Sequence, residues 1–324
     1  MVDRRLITTP VISELKQFEE DFAWMLHSEI PLLKSAIEQV LQANGKHIRP
    51  LLLLLTAKAC GEPTKISHDA AVIIETLHTT TLIHDDVVDE TKQRRGRPSL
   101  NAIFDNRIAV LTGDYLLAGS ILNAVETGNM VIIKILARVC RDLSEGEFLQ
   151  MDNTDRRSLD ENEYLRMIQK KTASLLSASS EIGAISVDAP AQVIDKCRQF
   201  GEYLGYCFQI KDDIFDYYDD VNIGKPTGND IREGKITLPL LHALKNAPGD
   251  EQLYYFSIID NQDYTPENVN LLIQFAKQYG GIDYAEGRLM EYKQKAIEII
   301  SSFPESEART SLLLLADYFA ERTK

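Results

Sequence analysis

Cysteine is scarce in this chain: four in 324 residues, Cys60, Cys140, Cys197 and Cys207, with no C-x-x-C spacing and no adjoining histidine pattern. That excludes the usual zinc motifs and leaves the expectation of reduced thiols inside the helices of a cytoplasmic protein. Long apolar runs are missing as well. The longest, residues 51–55, sits between Arg49 and Lys58 and is far too short to cross a bilayer, so no transmembrane segment is expected. The N-terminus, Met1-Val2-Asp3-Arg4-Arg5, leads into mixed polar sequence without an apolar stretch, which argues against a signal peptide. Basic runs are absent while the net charge is −14, which argues against a nucleic-acid partner. Alternating β-branched patterns, low-complexity segments and Pro/Ser linkers are also lacking.

What is present is helical periodicity, in a chain whose 44% hydrophobic content suits a sizeable core. It runs through residues 30–43, 50–59, 70–91, 107–125, 131–151, 161–185, 193–218 and 266–303. Breaks fall at Asn44-Gly45, Gly61-Glu62-Pro63, Gly96-Arg97-Pro98, Thr127-Gly128-Asn129 and Asp188-Ala189-Pro190. The stretch 222–239 also lacks the pattern. The expectation is an all-α protein, a single helical bundle forming one domain over residues 1–324, with ligand sites projecting inward from facing helices.

Two aspartate clusters stand out against this background: Asp85-Asp86-Val87-Val88-Asp89 and Asp212-Asp213-Ile214-Phe215-Asp216. Each sets its first and last carboxylate on one helix face, with the middle one to the side. Carboxylates one turn apart repel unless a cation lies between them. Hard oxygen ligands in pairs suit Mg²⁺, which keeps several waters and takes further ligands from substrate phosphates.

Thr81 and His78 share the metal-facing stripe of the first cluster, within about 40° of Asp85 on the helical wheel. Arg94 and Arg95 follow, placed as a clamp for phosphate oxygens at the helix end. Gln209 lies near the metal-facing side of Asp212, and Lys225 and Lys235 follow in the Gly-rich segment 222–235. Lys46 and Arg49 stand beside a helix start, and Lys170-Lys171-Thr172 adds mid-helix cations. Two diphosphates, one metal-bound and one held by Lys and Arg alone, account for the set. Asp114, after Gly113, reads as a helix N-cap. One such cluster alone is weak evidence, since most are solvated helix faces; two in apolar settings with cations after each are strong evidence.

At this point the chain resembles the trans-isoprenyl diphosphate synthases (polyprenyl synthetases), over nearly its whole length. The marks are Gly45-Lys46-x-x-Arg49-Pro50, His78, both aspartate clusters, Arg94-Arg95-Gly96, Gly113-Asp114, Gly146-Glu147-x-x-Gln150, Lys171-Thr172, Gln209 and Gly234-Lys235-x-Thr237-Leu238-Pro239. The resemblance implies an isoprenoid-synthase bundle around a central cavity, usually a homodimer. It implies that Asp85, Asp89 and Asp212 coordinate Mg²⁺ on an allylic diphosphate, farnesyl or geranylgeranyl, with Asp216 nearby through water. Arg94, Lys171, Thr172, Gln209 and Lys225 would hold that same diphosphate. Lys46, Arg49, His78 and Arg95 would hold isopentenyl diphosphate, and the Gly-Lys segment with Lys235 would close over the cavity. The catalytic set is then Asp85, Asp89, Arg94, Lys171, Asp212 and Lys225. One departure is local: the family's usual Gly-Gly-Lys-Arg is here Asn44-Gly45-Lys46-His47.

In relatives with short products an aromatic residue stands four or five positions before the first Asp; here those positions are Thr81 and Thr80. The expectation is therefore a long-chain synthase of the octaprenyl or solanesyl kind, with the small Ser174 and Ala178 leaving room for the chain. Three rivals remain: a farnesyl or geranylgeranyl diphosphate synthase; a terpene cyclase, which shares one aspartate cluster but not the clamp of Lys46, Arg49 and Arg95; and a non-catalytic subunit of a heteromeric synthase, which should have decayed aspartates where both clusters here are intact.

Overall fold

The computed structural model describes residues 3–42, 45–94, 96–218 and 227–322. Seventeen α-helices follow one another along them. They are α1 (Arg4–Thr8), α2 (Ile12–Met25), α3 (Pro31–Gln42), α4 (Ile48–Cys60), α5 (Lys65–Val88), α6 (Leu100–Ile103), α7 (Asn106–Glu126), α8 (Met130–Arg156) and α9 (Glu161–Ile168). Then come α10 (Ser174–Ile185), α11 (Ala191–Phe215), α12 (Asn229–Arg232), α13 (Leu238–Asn246), α14 (Gly249–Asp260), α15 (Pro266–Gln278), α16 (Gly281–Ser301) and α17 (Glu307–Glu321). Among the described residues the sole sheet is a two-stranded hairpin, β1 (Gln93–Arg94) with β2 (Arg97–Pro98).

Helix starts are set by side chains that satisfy the first backbone N–H groups. Thr64 and Ser67 form a reciprocal capping box at α5, Asn129 accepts from Val131 and Ile132 at α8, and Asp160 accepts from Asn162 at α9. Thr265 caps α15, whose first residue is Pro266, where a missing N–H costs nothing.

The bundle is organised around α10. All its residues from Leu175 to Ile185 are buried, and it packs against α4, α5, α8 and α11. The apolar run 51–55, too short for a membrane, is the fully buried middle of α4. Close crossing of α10 and α11 depends on small residues. A Cβ on Gly201 would overlap the Leu176 carbonyl, and one on Gly205 would overlap Ala173. The buried apolar side chains form one connected core from Ile7 to Ala320.

Three expectations from periodicity change. The segment 161–185 is not one α-helix: between α9 and α10 lies a π turn, Gln169–Ala173. The segment 266–303 divides at Gly280, whose φ of +69° starts a new helix, α16. Asp114 is not an N-cap but lies inside α7, its carboxylate 3.5 Å from His84 Nε2.

Candidate active site

Both aspartate clusters lie at the C-terminal ends of long helices, the first closing α5 and the second closing α11. In each, the middle aspartate is the buried one and is held by partners from other elements. Asp86 accepts from Arg94 Nε at 2.8 Å and from a terminal guanidinium nitrogen at 2.7 Å. Asp213 accepts from the Tyr164 hydroxyl at 2.6 Å and from Gln209 Nε2 at 2.8 Å. Burial and the neighbouring Asp230 push the Asp213 carboxyl up to about 8. The middle carboxylates thus anchor the helix ends, and each also borders one of two clefts.

Asp85, beside Asp86, is only partly buried but carries electrostatic strain. Burial, then the negative Glu147, push its carboxyl up to about 7, with Asp89 adding to the rise and Lys171 and Arg94 opposing it. Negative charge is under-compensated there, which fits a cation held by Asp85 and Asp89. Among the described residues no three His, Cys, Asp or Glu side chains converge on one point. Asp85 lies in the last turn of α5 and Asp89 at its C-cap, and two carboxylates one turn apart are a donor set of the kind Mg²⁺ takes. Asp212 is instead bridged at 2.7 Å by Arg322, whose guanidinium also donates to the Phe208 carbonyl and stacks 4.0 Å over the Phe208 ring. Asp216 accepts the Asn229 and Asp230 backbone N–H groups at 2.8 and 3.0 Å, fixing the start of α12.

The π turn supplies the cations between the clusters. Its wider winding sends adjacent lysines to different partners: Lys170 to Asp142 and Glu145, Lys171 to Glu147 at 2.5 Å and Gln150 at 3.0 Å. Such turns are frequent at functional sites. Thr172 donates to Gln209 Oε1 at 2.7 Å, tying the turn to α11. Gly146 admits the Lys171 backbone, since a Cβ would press on its nitrogen. A cleft of about 150 Å³ is lined by Lys171, Gln209, Asp213, Lys235, Tyr164 and Asp230. Burial pulls the Lys235 ammonium down, but its pair with Glu233 and the fields of Asp230 and Asp89 carry it above its ordinary value. Asp85 thus lies within electrostatic reach of Lys171, and Asp89 within that of Lys235, the two lysines that line this cleft.

A second cleft, about 90 Å³, is lined by His47, Glu75, His78, Thr79, Asp86 and Arg94. His78, expected on the metal stripe, opens into this cleft and is 8% exposed. At the departure from the family's loop, His47 takes φ +44°, packs edge-on against Phe18 and Phe22, and sets Nδ1 3.1 Å from Glu75. Lys46 reaches the Tyr318 hydroxyl at 3.0 Å, and Arg49 lies in the first turn of α4. Arg94 lies in the hairpin rather than at the helix end. Arg95 and Lys225 fall outside the described residues. Thr80 is fully buried and Thr81 half-buried, and neither lines the two clefts. Ser174 borders a separate polar groove with Arg138 and Asp142. Tyr164 and Arg322 escape sequence reasoning, because their partners lie 49 and 110 residues away and no local pattern marks them.

The polyprenyl synthetase family matches residues 30–275. The chain belongs to the polyprenyl synthetase family. Among its relatives is the geranyl-diphosphate-specific all-trans-nonaprenyl-diphosphate synthase of Rhodobacter capsulatus, 37% identical over 98% of this chain and 97% of that protein. Among solved structures, a polyprenyl synthase from Caulobacter crescentus CB15, complexed with calcium and isoprenyl diphosphate, superposes with a TM-score of 0.92. It is 31% identical and the match covers 99% and 98% of the two chains. A geranylgeranyl pyrophosphate synthase from Bacteroides thetaiotaomicron is 40% identical over 98% and 99%, with a TM-score of 0.85. The all-α isoprenoid-synthase fold expected from the motifs is thus the fold of this polyprenyl synthetase.

Proposed function

We propose that the protein condenses isopentenyl diphosphate head-to-tail onto an allylic diphosphate, farnesyl or geranylgeranyl, and repeats the step to a long all-trans polyprenyl diphosphate. The observation that supports this reading is that Lys171 and Lys235 line a cleft with Asp213 of the second cluster and also interact electrostatically with Asp85 and Asp89 of the first, in a polyprenyl synthetase. Asp85, Asp89 and Asp212 would hold magnesium, with Asp216 beside them, and the metal bound there would neutralise charge on the departing diphosphate. Lys171, Thr172, Gln209, Arg94 and Lys225 are proposed to grip that diphosphate, and Lys235 to close on it. Lys46, Arg49, His78 and Arg95 are proposed to position isopentenyl diphosphate so that its double bond meets the allylic carbon; such positioning supplies much of the rate. Ionisation leaves an allylic cation that water would quench, so the segment 222–235 is assigned the exclusion of water. The proton lost at the end passes to the released diphosphate.

The whole chain acts as one domain in this reading, and in the cytoplasm. We also propose a homodimer. One helix, α7, is long and apolar enough to cross a membrane by length and composition. Yet it packs against α5 on one side, and its other side carries an exposed apolar stripe, Leu111, Tyr115, Leu122 and Val125. A second copy covering that stripe accounts for the composition of α7.

The test is incubation with isopentenyl and farnesyl diphosphates and magnesium, with an EDTA control and mass spectrometry of the products. A metal-dependent ladder ending beyond geranylgeranyl diphosphate is expected. A stop at geranylgeranyl diphosphate would favour the second reading, a short-chain synthase, which the likeness to the Bacteroides enzyme supports. Chain length is expected to respond to Thr81→Phe, which adds bulk one turn below Asp85, by a shift to shorter products. Thr80→Phe, at a fully buried position, should instead lower stability through overpacking.

A further inference from the structure

Far from the clefts, two thiols from helices distant in sequence meet. Cys60 ends α4 and Cys197 lies near the start of α11; their sulfurs are 3.8 Å apart across 137 residues of chain. Both are free thiols, Cys197 fully buried and Cys60 partly exposed. Among the described residues no other two cysteine sulfurs are in contact; Cys207 Sγ instead approaches the Leu289 carbonyl at 3.6 Å. We infer that Cys60 and Cys197 form a site of reversible two-electron oxidation, closing a disulfide that fastens α4 to α11.

The surroundings hold the pair in place. The same end of the bundle is knit by Thr64, whose hydroxyl donates to the Ser186 carbonyl at 2.9 Å, and by the Ser67 and Ser186 hydroxyls 2.7 Å apart. These contacts join the start of α5 to the end of α10, between the two cysteine-bearing helices. An S–S bond is about 2.0 Å long, so the sulfurs must close by somewhat under 2 Å, a movement that side-chain rotation at the partly exposed Cys60 supplies. Reactivity is divided between the two. The hydrogen bond from Cys197 holds the Cys60 thiol below its ordinary pKa, against the opposing effect of burial. That bond and then burial push the Cys197 thiol up. Cys60, the more exposed and more easily ionised, is the attacking sulfur.

With hydrogen peroxide as oxidant the balance is simple. The Cys60 thiolate attacks one peroxide oxygen, giving a sulfenic acid and, after proton transfer, water. The Cys197 sulfur then attacks the Cys60 sulfur, forming the S–S bond and expelling the hydroxyl as a second water. Two thiols and one peroxide become one disulfide and two waters, with two electrons passing to the peroxide. Along their own helices, Cys60 is about 16 Å beyond Arg49 and Cys197 about 22 Å before Asp212, counting 1.5 Å per residue. The bond therefore fastens the bundle at the end away from the clefts. It should stiffen the fold and leave turnover nearly unchanged.

The experiment treats the full-length protein with a slight excess of hydrogen peroxide, then maps disulfides without reduction. A protease other than trypsin is needed, because Lys196 and Arg198 flank Cys197. Expected are a mass loss of about 2 Da, from two hydrogens, and a Cys60–Cys197 linked peptide that disappears with dithiothreitol. The melting midpoint should rise by about 7 °C, from the large loop closed, and activity should stay within about twofold. Cys60→Ser, at the half-exposed position, should abolish link and rise together, so the test stands even if Cys197→Ser does not fold. Cys60 driven to sulfinic acid while Cys197 stays free, or a link to Cys140 or Cys207, would overturn the inference.

Discussion

A carboxylic acid half-protonated near neutrality is a sensitive reporter, and Asp85, pushed up to about 7 by burial and the field of Glu147, is one. Its folded value lies above the unfolded one, near 3.8, so the folded chain binds more protons between the two. The associated stability is fully present below the unfolded value and is lost as pH rises through about 7. In magnesium-free buffer the melting midpoint should therefore fall between pH 4 and 7, and Asp85→Asn should flatten that slope. A bound metal must displace the same proton, so half-saturating magnesium should climb as pH drops below 7. Tyr164 offers a second test at this scale. Tyr164→Phe leaves the buried Asp213 carboxyl one hydrogen bond short, and a buried polar group left unsatisfied costs about 1–3 kcal/mol. Urea titration measures that cost; kcat should fall while the KM for isopentenyl diphosphate stays, because the anchored helix end carries the allylic side of the site. At this scale the outer aspartates were legible from spacing alone. The supports were not: Tyr164 holds the middle Asp213 and Arg322 the outer Asp212 from elements that leave no periodic trace, and Arg94, singled out in the sequence as a phosphate clamp, holds the middle Asp86.

Helices were readable wherever one apolar face repeats, as in α3, α8 and α11, because burial imposes the repeat. The π turn was not, because one surplus residue disturbs the pattern of 161–185 too little to show. Gly280 divides α15 from α16 by a positive φ, which a glycine permits but does not announce. The hairpin of Arg94 is only two residues a side, too short for an alternation to be seen. The close crossing of α10 and α11 gives the prediction proper to elements. Gly205→Val forces side-chain atoms into Ala173, at the edge of the π turn, and overpacking of this kind costs about 1–3 kcal/mol. Chemical denaturation should register that loss. Magnesium dependence should change with it, because Lys171 and Thr172 move with Ala173.

For the molecule as a whole, the exposed stripe on α7 is the feature that a single chain does not explain. Leu111→Glu together with Leu122→Glu puts charge where a second copy is proposed to lie, and light scattering after gel filtration should report a monomer. The wild-type chain should run at twice that mass. Continuation of the stripe into Met130 and Val131 at the start of α8, both exposed, widens the face to be covered. Covering it by self-association ties folding to mass action. Stability then becomes a function of how much enzyme is present: a stock diluted far enough should melt earlier and lose turnover with a lag, and concentrating it should restore both. The abundance of the protein in its cell would, on this account, be part of what keeps its catalytic cleft assembled.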